Sequence, residues 1–187
     1  MKILTLLLFI LFAVGCNLNK SNKQSENGIK DTNNNKVRQH AESLLAGENG
    51  SSLESGLLQA QMFDSINSPI DSTRAYYLHV AKFLMKRGDA LFSGQLGLNL
   101  ITFIKDRPRE FIESFSKSGD NEIRNLGTNI GAYIANYVPT TEEETNNIEE
   151  ILSKNIQVNI PIEANFKRKI MPIILETAKA LNHRNRK

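Results

Sequence analysis

Ser68-Pro69-Ile70-Asp71-Ser72-Thr73-Arg74-Ala75-Tyr76-Tyr77-Leu78-His79-Val80-Ala81-Lys82-Phe83-Leu84-Met85-Lys86-Arg87-Gly88 carries the start, body and stop of a helix in one stretch. Ser68 is a good N-cap, and Pro69 falls in the first turn, where an amide hydrogen has no helical partner to lose. Asp71 faces the positive end of the helix dipole. Lys86 and Arg87 face its negative end, and Gly88 supplies the stop. In between, Tyr77, Ala81 and Leu84 share one face, while Ser72, Ala75, His79, Lys82 and Lys86 share the opposite one. The stretch predicts an amphipathic helix seated on a core, with His79 turned to solvent.

The same punctuation continues on both sides. A helix is predicted over 89–105, broken by Asp106-Arg107-Pro108, and a third runs from Pro108 to near Gly119. Asp120 can cap a fourth, which Pro139 stops, and Thr141-Glu142-Glu143-Glu144 reads as a capping box opening a fifth, to about Lys154. Two shorter helices precede these, near 37–46 and 52–65, and a last one spans 163–183, where Pro172 should kink or split it. Ile156-Gln157-Val158-Asn159-Ile160-Pro161-Ile162 alternates like a strand, but Pro161 and the lack of a partner deny it a sheet. It is expected to lie across a helix surface with its isoleucines inserted.

The fold class is therefore all-α: a compact irregular bundle of about seven or eight helices, short links setting neighbours in antiparallel pairs. A HEAT- or TPR-like α-hairpin stack is the alternative, but no residue pattern recurs at a fixed period. The expected core includes Leu78, Leu84, Leu91, Leu96, Leu98, Ile101, Ile104, Phe111, Phe115, Ile130, Ile134, Ile151, Ile170 and Ile174. Gly94 with Gly97, and Gly127 with Gly131, are read as places where helices pack closely.

Composition narrows the function. The 187 residues hold 23 Lys plus Arg against 20 Asp plus Glu, a net charge of +3, which excludes a strongly basic nucleic-acid binder. One Cys excludes an internal disulfide and any multi-cysteine metal site.

That one Cys has a telling position. Lys2 is followed by an apolar run from Ile3 to Phe12, then Ala13-Val14-Gly15-Cys16. The run is shorter than the roughly 20 residues needed to span a bilayer, and the charge, apolar core and small residues are the parts of a secretory signal peptide. With Cys16 directly after them, the segment resembles the lipobox of bacterial lipoproteins, with Ala13 standing where Leu is usual. The resemblance covers residues 1–16 only. It implies removal of 1–15, acylation of Cys16 by fatty chains such as palmitate, and anchorage in a membrane. Asn17 is not the Asp that resembles an inner-membrane retention signal, so a Gram-negative cell would carry the protein on its outer membrane, facing the periplasm or the cell surface. Ordinary cleavage after Gly15 without lipidation and an uncleaved anchor are the alternatives.

Residues 17–36 carry almost nothing apolar and cannot offset the entropy of ordering. They are expected to be a tether of about 25 Å end to end as a coil, about 65–70 Å when stretched. The expected organisation is thus 1–15 leader, 16–36 lipidated Cys and tether, 37–187 a single helical domain.

No constellation for catalysis, metal or cofactor appears. His40, His79 and His183 have no ligand spacing, and neither a zincin motif nor a nucleophile elbow is present. Glu110 and Glu113 could in principle work as paired carboxylates on a cell-wall substrate, but Arg107 and Arg109 beside them favour a salt-bridged surface. Lys167-Arg168-Lys169 and the basic C-terminus could meet anionic headgroups. The reading is a membrane-tethered, non-enzymatic module for another envelope component, expected to be a protein met through Tyr76, Tyr133 or Tyr137; the alternative is a cell-wall hydrolase using Glu110 and Glu113. No residue pattern sets an oligomeric state.

Cys16→Ser is expected to move the protein from the membrane to the soluble fraction. Intact mass of the wild type should show loss of residues 1–15 and gain of acyl groups; a chain beginning at Cys16 with a free thiol would refute lipidation while keeping export.

Overall fold

The computed structural model describes residues 34–48, 53–87, 93–156 and 161–185. The leader, Cys16, most of the tether, Leu91 and 157–160 lie outside the described residues. Among those described there are eight α-helices and no strand: α1 over 34–45, α2 Leu53–Asp64, α3 Asp71–Arg87, α4 Ser93–Asp106, α5 Pro108–Phe115, α6 Asp120–Tyr137, α7 Thr141–Asn155 and α8 Pro161–Asn185. A short 3-10 turn, Ser65–Asn67, links α2 to α3. The protein is a compact all-α bundle.

Local chemistry explains the boundaries. Ser68 Oγ accepts the Ile70 N–H at 3.2 Å, as its capping role requires. The cap of α7 is Thr140 rather than Thr141, its hydroxyl donating to Glu143 at 2.8 Å. α1 begins at residue 34, so three residues assigned to the tether are helical. Ile156 is half-buried against the core, but Pro161 opens α8 and Ile162 is 48% exposed, so that isoleucine is not inserted. Proline at a first helical position costs no hydrogen bond, and helix wins there. Pro172 does not split α8: it lies on the exposed face, where water can satisfy the carbonyl it leaves free.

Helices α2, α4, α6 and α8 lie side by side in that order, with α3 against α6, and α7 against α4, α5, α6 and α8. Directions follow from the glycines. A Cβ placed on Gly94 would meet Tyr137 and one on Gly97 would meet Tyr133 and the Asn129 carbonyl, so α4 and α6 run antiparallel. One on Gly127 would meet Ile173, and one on Gly131 would meet Ile174, Thr177 and Ala178, so α6 and α8 run parallel, with α7 carrying the chain back. In a stack of α-hairpins, helices two apart run parallel throughout. The opposed α4 and α6 make this a bundle.

One continuous core joins the helices, and at its centre Phe111 of α5 meets Phe103, Phe115 and Phe166 with ring centroids 6.0, 5.0 and 5.9 Å away. Of the expected core, Leu98 and Ile151 are only half-buried and the other described members are buried. Phe63, Phe103, Phe166, Ile112 and Leu126 join them.

The three close approaches have no room for a methyl group. A Cβ on Gly131 would lie 2.6 Å from the Ile174 oxygen and 2.7 Å from Thr177 Cβ, and one on Gly97 would lie 2.6 Å from Tyr133 Cβ as well as against the Asn129 backbone. Gly56 of α2, with nothing within 4 Å, is the contrast. Gly131→Ala and Gly97→Ala should each destabilise by about 1–3 kcal/mol through overpacking, whereas Gly56→Ala should stabilise by about 0.5–1 kcal/mol through helix propensity. Urea unfolding midpoints at constant slope check all three.

Candidate functional site

Two surfaces emerge from this arrangement. The first is an aromatic platform at the end of α6. Tyr133 and Tyr137 are one helical turn apart and stack, with ring centroids 5.0 Å apart and planes 23° from parallel. Tyr133 is half-buried against the core. Tyr137 is 66% exposed, while one edge of its ring lies over Gly94, where an added Cβ would be 3.4 Å from the hydroxyl. The ring is thus held by its neighbour and by the glycine floor while most of it faces outward.

The second surface is a groove of about 590 Å³ between the start of α1 and the start of α3. Asn34, Asn35 and Arg38 form one wall; Ser68, Ile70 and Tyr76 are on the other side. Arg38 lies over the Tyr76 ring, its guanidinium carbon 5.3 Å from the centroid, and donates to Glu42 at 3.1 Å. The Tyr76 hydroxyl is buried without a hydrogen-bond partner, and burial raises its pKa above the ordinary tyrosine value, with Glu42 adding to the rise. Tyr76 also meets Tyr77 edge-on at 5.0 Å. With its ring covered and its hydroxyl enclosed, Tyr76 is not a free anchor. Of the three tyrosines singled out by sequence, Tyr137 is the exposed one.

Glu110 and Glu113 do not form a working pair. Glu110 accepts from Arg74 Nε at 2.7 Å and faces Arg107 at 3.9 Å, while Glu113 is on the exposed surface. Arg74 is the centre of this end of the molecule. Its side chain is 4% exposed, and it donates to Glu110, to Asp71 at 2.7 Å and to the Ser68 carbonyl at 2.6 Å. The hydrogen bonds it donates to Glu110 and then Asp71 raise its pKa further above the usual arginine value. A buried guanidinium held by half-buried Glu110, exposed Asp71 and a carbonyl is a structural clamp joining α3, α5 and the turn before α3. Sequence reasoning passed over Arg74, although its three-residue spacing from Tyr77 puts it on the buried stripe.

His79 is exposed, as expected; His40 is half-buried with no partner for Nε2, and burial lowers its pKa from the ordinary value. The Lys167–Lys169 run is not one basic patch. Lys167 bonds Ser153 at 2.5 Å and faces Glu149 at 3.3 Å, Arg168 bonds Asn165, and Lys169 bonds Asp120 at 2.6 Å. Adjacent residues on a helix point about 100° apart, which sends them to separate partners. Among the described residues no group of three His, Cys, Asp or Glu could hold a metal ion, and no helix is long and apolar enough to cross a membrane.

No family model, no curated protein and no solved structure matches this chain.

Glu110→Gln should destabilise the fold by about 1–3 kcal/mol, because the buried guanidinium loses a charged acceptor. Glu113→Gln, on the exposed surface, should stay within about 0.5 kcal/mol of wild type. Thermal unfolding of the two variants separates this structural role from a catalytic one, in which both losses would leave stability unchanged.

Proposed function

We propose that this chain is a lipid-anchored helical module of a bacterial cell envelope that binds another envelope protein and performs no reaction of its own. Cys16 is the anchor in this reading, on its resemblance to the lipobox residue. The observation that carries the binding half is Tyr137, a large aromatic left 66% exposed while stacked on Tyr133 and backed by Gly94. An aromatic ring already held in place loses little freedom on binding, and such rings dominate protein interfaces once a partner encloses them. The carboxylates that offered a hydrolytic alternative lend it no geometry, since Glu110 is committed to Arg74.

Crosslinking in intact envelopes, followed by affinity measurement with the partner so captured, tests the proposal. Tyr137→Ala should weaken capture by about 2 kcal/mol, or roughly 30-fold, with the fold unchanged because most of the ring is outside the core. Unchanged capture in Tyr137→Ala, together with lost cellular activity in Glu113→Gln at wild-type stability, would sink the binding reading in favour of catalysis.

A further inference from the structure

We infer that α1 is an acid-released latch, docked on the body while His40 is neutral and loosened when the His40 ring takes up a proton from solvent. The inference needs neither the lipid anchor nor the protein partner proposed above.

α1 is a small unit with few ties. Its twelve residues, 34–45, bury Val37, Ala41 and Leu44. Two polar contacts fasten it to α3: Arg38 lies over the Tyr76 ring, and Arg87 donates to the Leu44 carbonyl at 3.1 Å. Beyond its last turn the chain closes on itself. Gly47 takes φ +93°, its N–H donates to the Leu44 carbonyl at 3.1 Å, and the Glu48 N–H donates to the Ser43 carbonyl at 3.0 Å. A helix held by three buried apolar side chains and two polar contacts opens at lower cost than the central helices α6 and α8.

His40 sits on the docked side of this helix, three residues from Val37 and four from Leu44. The residue is half-buried, and Nε2 is enclosed with no hydrogen-bond partner. A neutral imidazole tolerates that position, because its single proton can sit on Nδ1 and leave Nε2 as an unpaired acceptor. The protonated ring does not. Both nitrogens then carry a hydrogen, so Nε2 becomes a charged donor with no acceptor in reach.

No neighbouring charge offsets that cost. Arg38 and Glu42 pair with each other on the opposite side of α1. On α3, Arg74 is held by Glu110 and Asp71, Lys82 and Lys86 face Glu122, Arg87 is on the Leu44 carbonyl, and His79 is exposed. Tyr76 and Tyr77, which feel Arg38 and Glu42 across the contact, are kept protonated by burial. Asp64, at the end of α2, accepts from Gln95 and Asn99. Burial is the one cause acting on His40, and it lowers the pKa from the ordinary 6.5.

Undocked, His40 returns to its ordinary pKa; docked, it binds the proton less readily. Docking is therefore at full strength above about pH 6.5 and weakens as pH falls through the lowered value. Release uncovers the Tyr76 ring that Arg38 covers at neutral pH, turning a closed surface into an aromatic one.

Hydrogen exchange of the full-length chain, read by mass spectrometry as protection factors at about pH 7.5 and about pH 5, tests the latch. Peptides covering 34–45 should lose protection about fivefold at the lower pH, while those of α6 and α8 hold theirs. His40→Gln and His40→Leu, which cannot take the proton, should keep one protection level at both pH values. His79→Gln, at an exposed histidine, should behave as wild type. Equal acid loss in wild type and both His40 variants overturns the inference, because carboxylates are then responsible. Equal loss across α1, α6 and α8 overturns it as well, since the whole fold is then opening. Should both His40 variants fail to fold, NMR titration of the wild-type ring decides. A midpoint below 6.5 together with the α1 loss upholds the latch, and a midpoint at or above 6.5 overturns it.

Discussion

The bundle depends on three glycines that let backbones touch. Gly97 sets α4 against α6, and Gly127 and Gly131 set α6 against α8. With side chains at these positions the helices would stand off by the thickness of a methyl group, and the core residues between them, Ile130, Ile134, Ile170 and Ile174, could not interdigitate at native density. Most of the contacts are made to backbone or Cβ atoms, which cannot swing aside as the far end of a long side chain can. This is why α6 sits at the middle of the row and why α4 and α8 take their directions from it. The exposed Tyr137 follows from the same constraint, because its ring lies over the glycine that opens α4.

The outer layer is held differently. Where α3 and α5 begin, a buried guanidinium replaces close backbone contact, and Arg74 joins α3, α5 and the turn before α3 into one unit. Lys82 does similar work lower on α3: it donates to the Ser114 carbonyl, lies 4.4 Å from the centroid of Phe115 and faces Glu122 at 3.6 Å. Such clamps give direction as well as stability, since removing one member leaves a desolvated charge. Both draw carboxylates of α3, α5 and α6 into structural service.

That commitment of charge shapes what the surface can do. Many of the described titratable groups are paired along helix faces, and the large apolar side chains left outward are Tyr137, Ile70, Leu57 and Ile162. Rigidly held apolar projections on a helical scaffold suit docking.

Helix number, order and most boundaries were legible in the sequence, because caps, prolines and three- to four-residue apolar spacing act through local backbone chemistry. Ser68-Pro69-Ile70-Asp71 and Lys86-Arg87 mark the two ends of α3 wherever that helix is placed. The close-packing role of Gly97, Gly127 and Gly131 was legible too, since small residues three or four apart mark a face that a neighbour can approach. Which neighbour approaches was not: the antiparallel α4–α6 and parallel α6–α8 contacts join residues more than 30 positions apart, and no local signal encodes direction. The same holds for the surface. Sequence could name Tyr76, Tyr133 and Tyr137 as aromatic and Glu110 and Glu113 as acidic, but exposure is a property of what packs nearby. Only the tertiary structure left Tyr137 open, covered Tyr76 with Arg38, and spent Glu110 on Arg74, because each outcome depends on a side chain arriving from another helix.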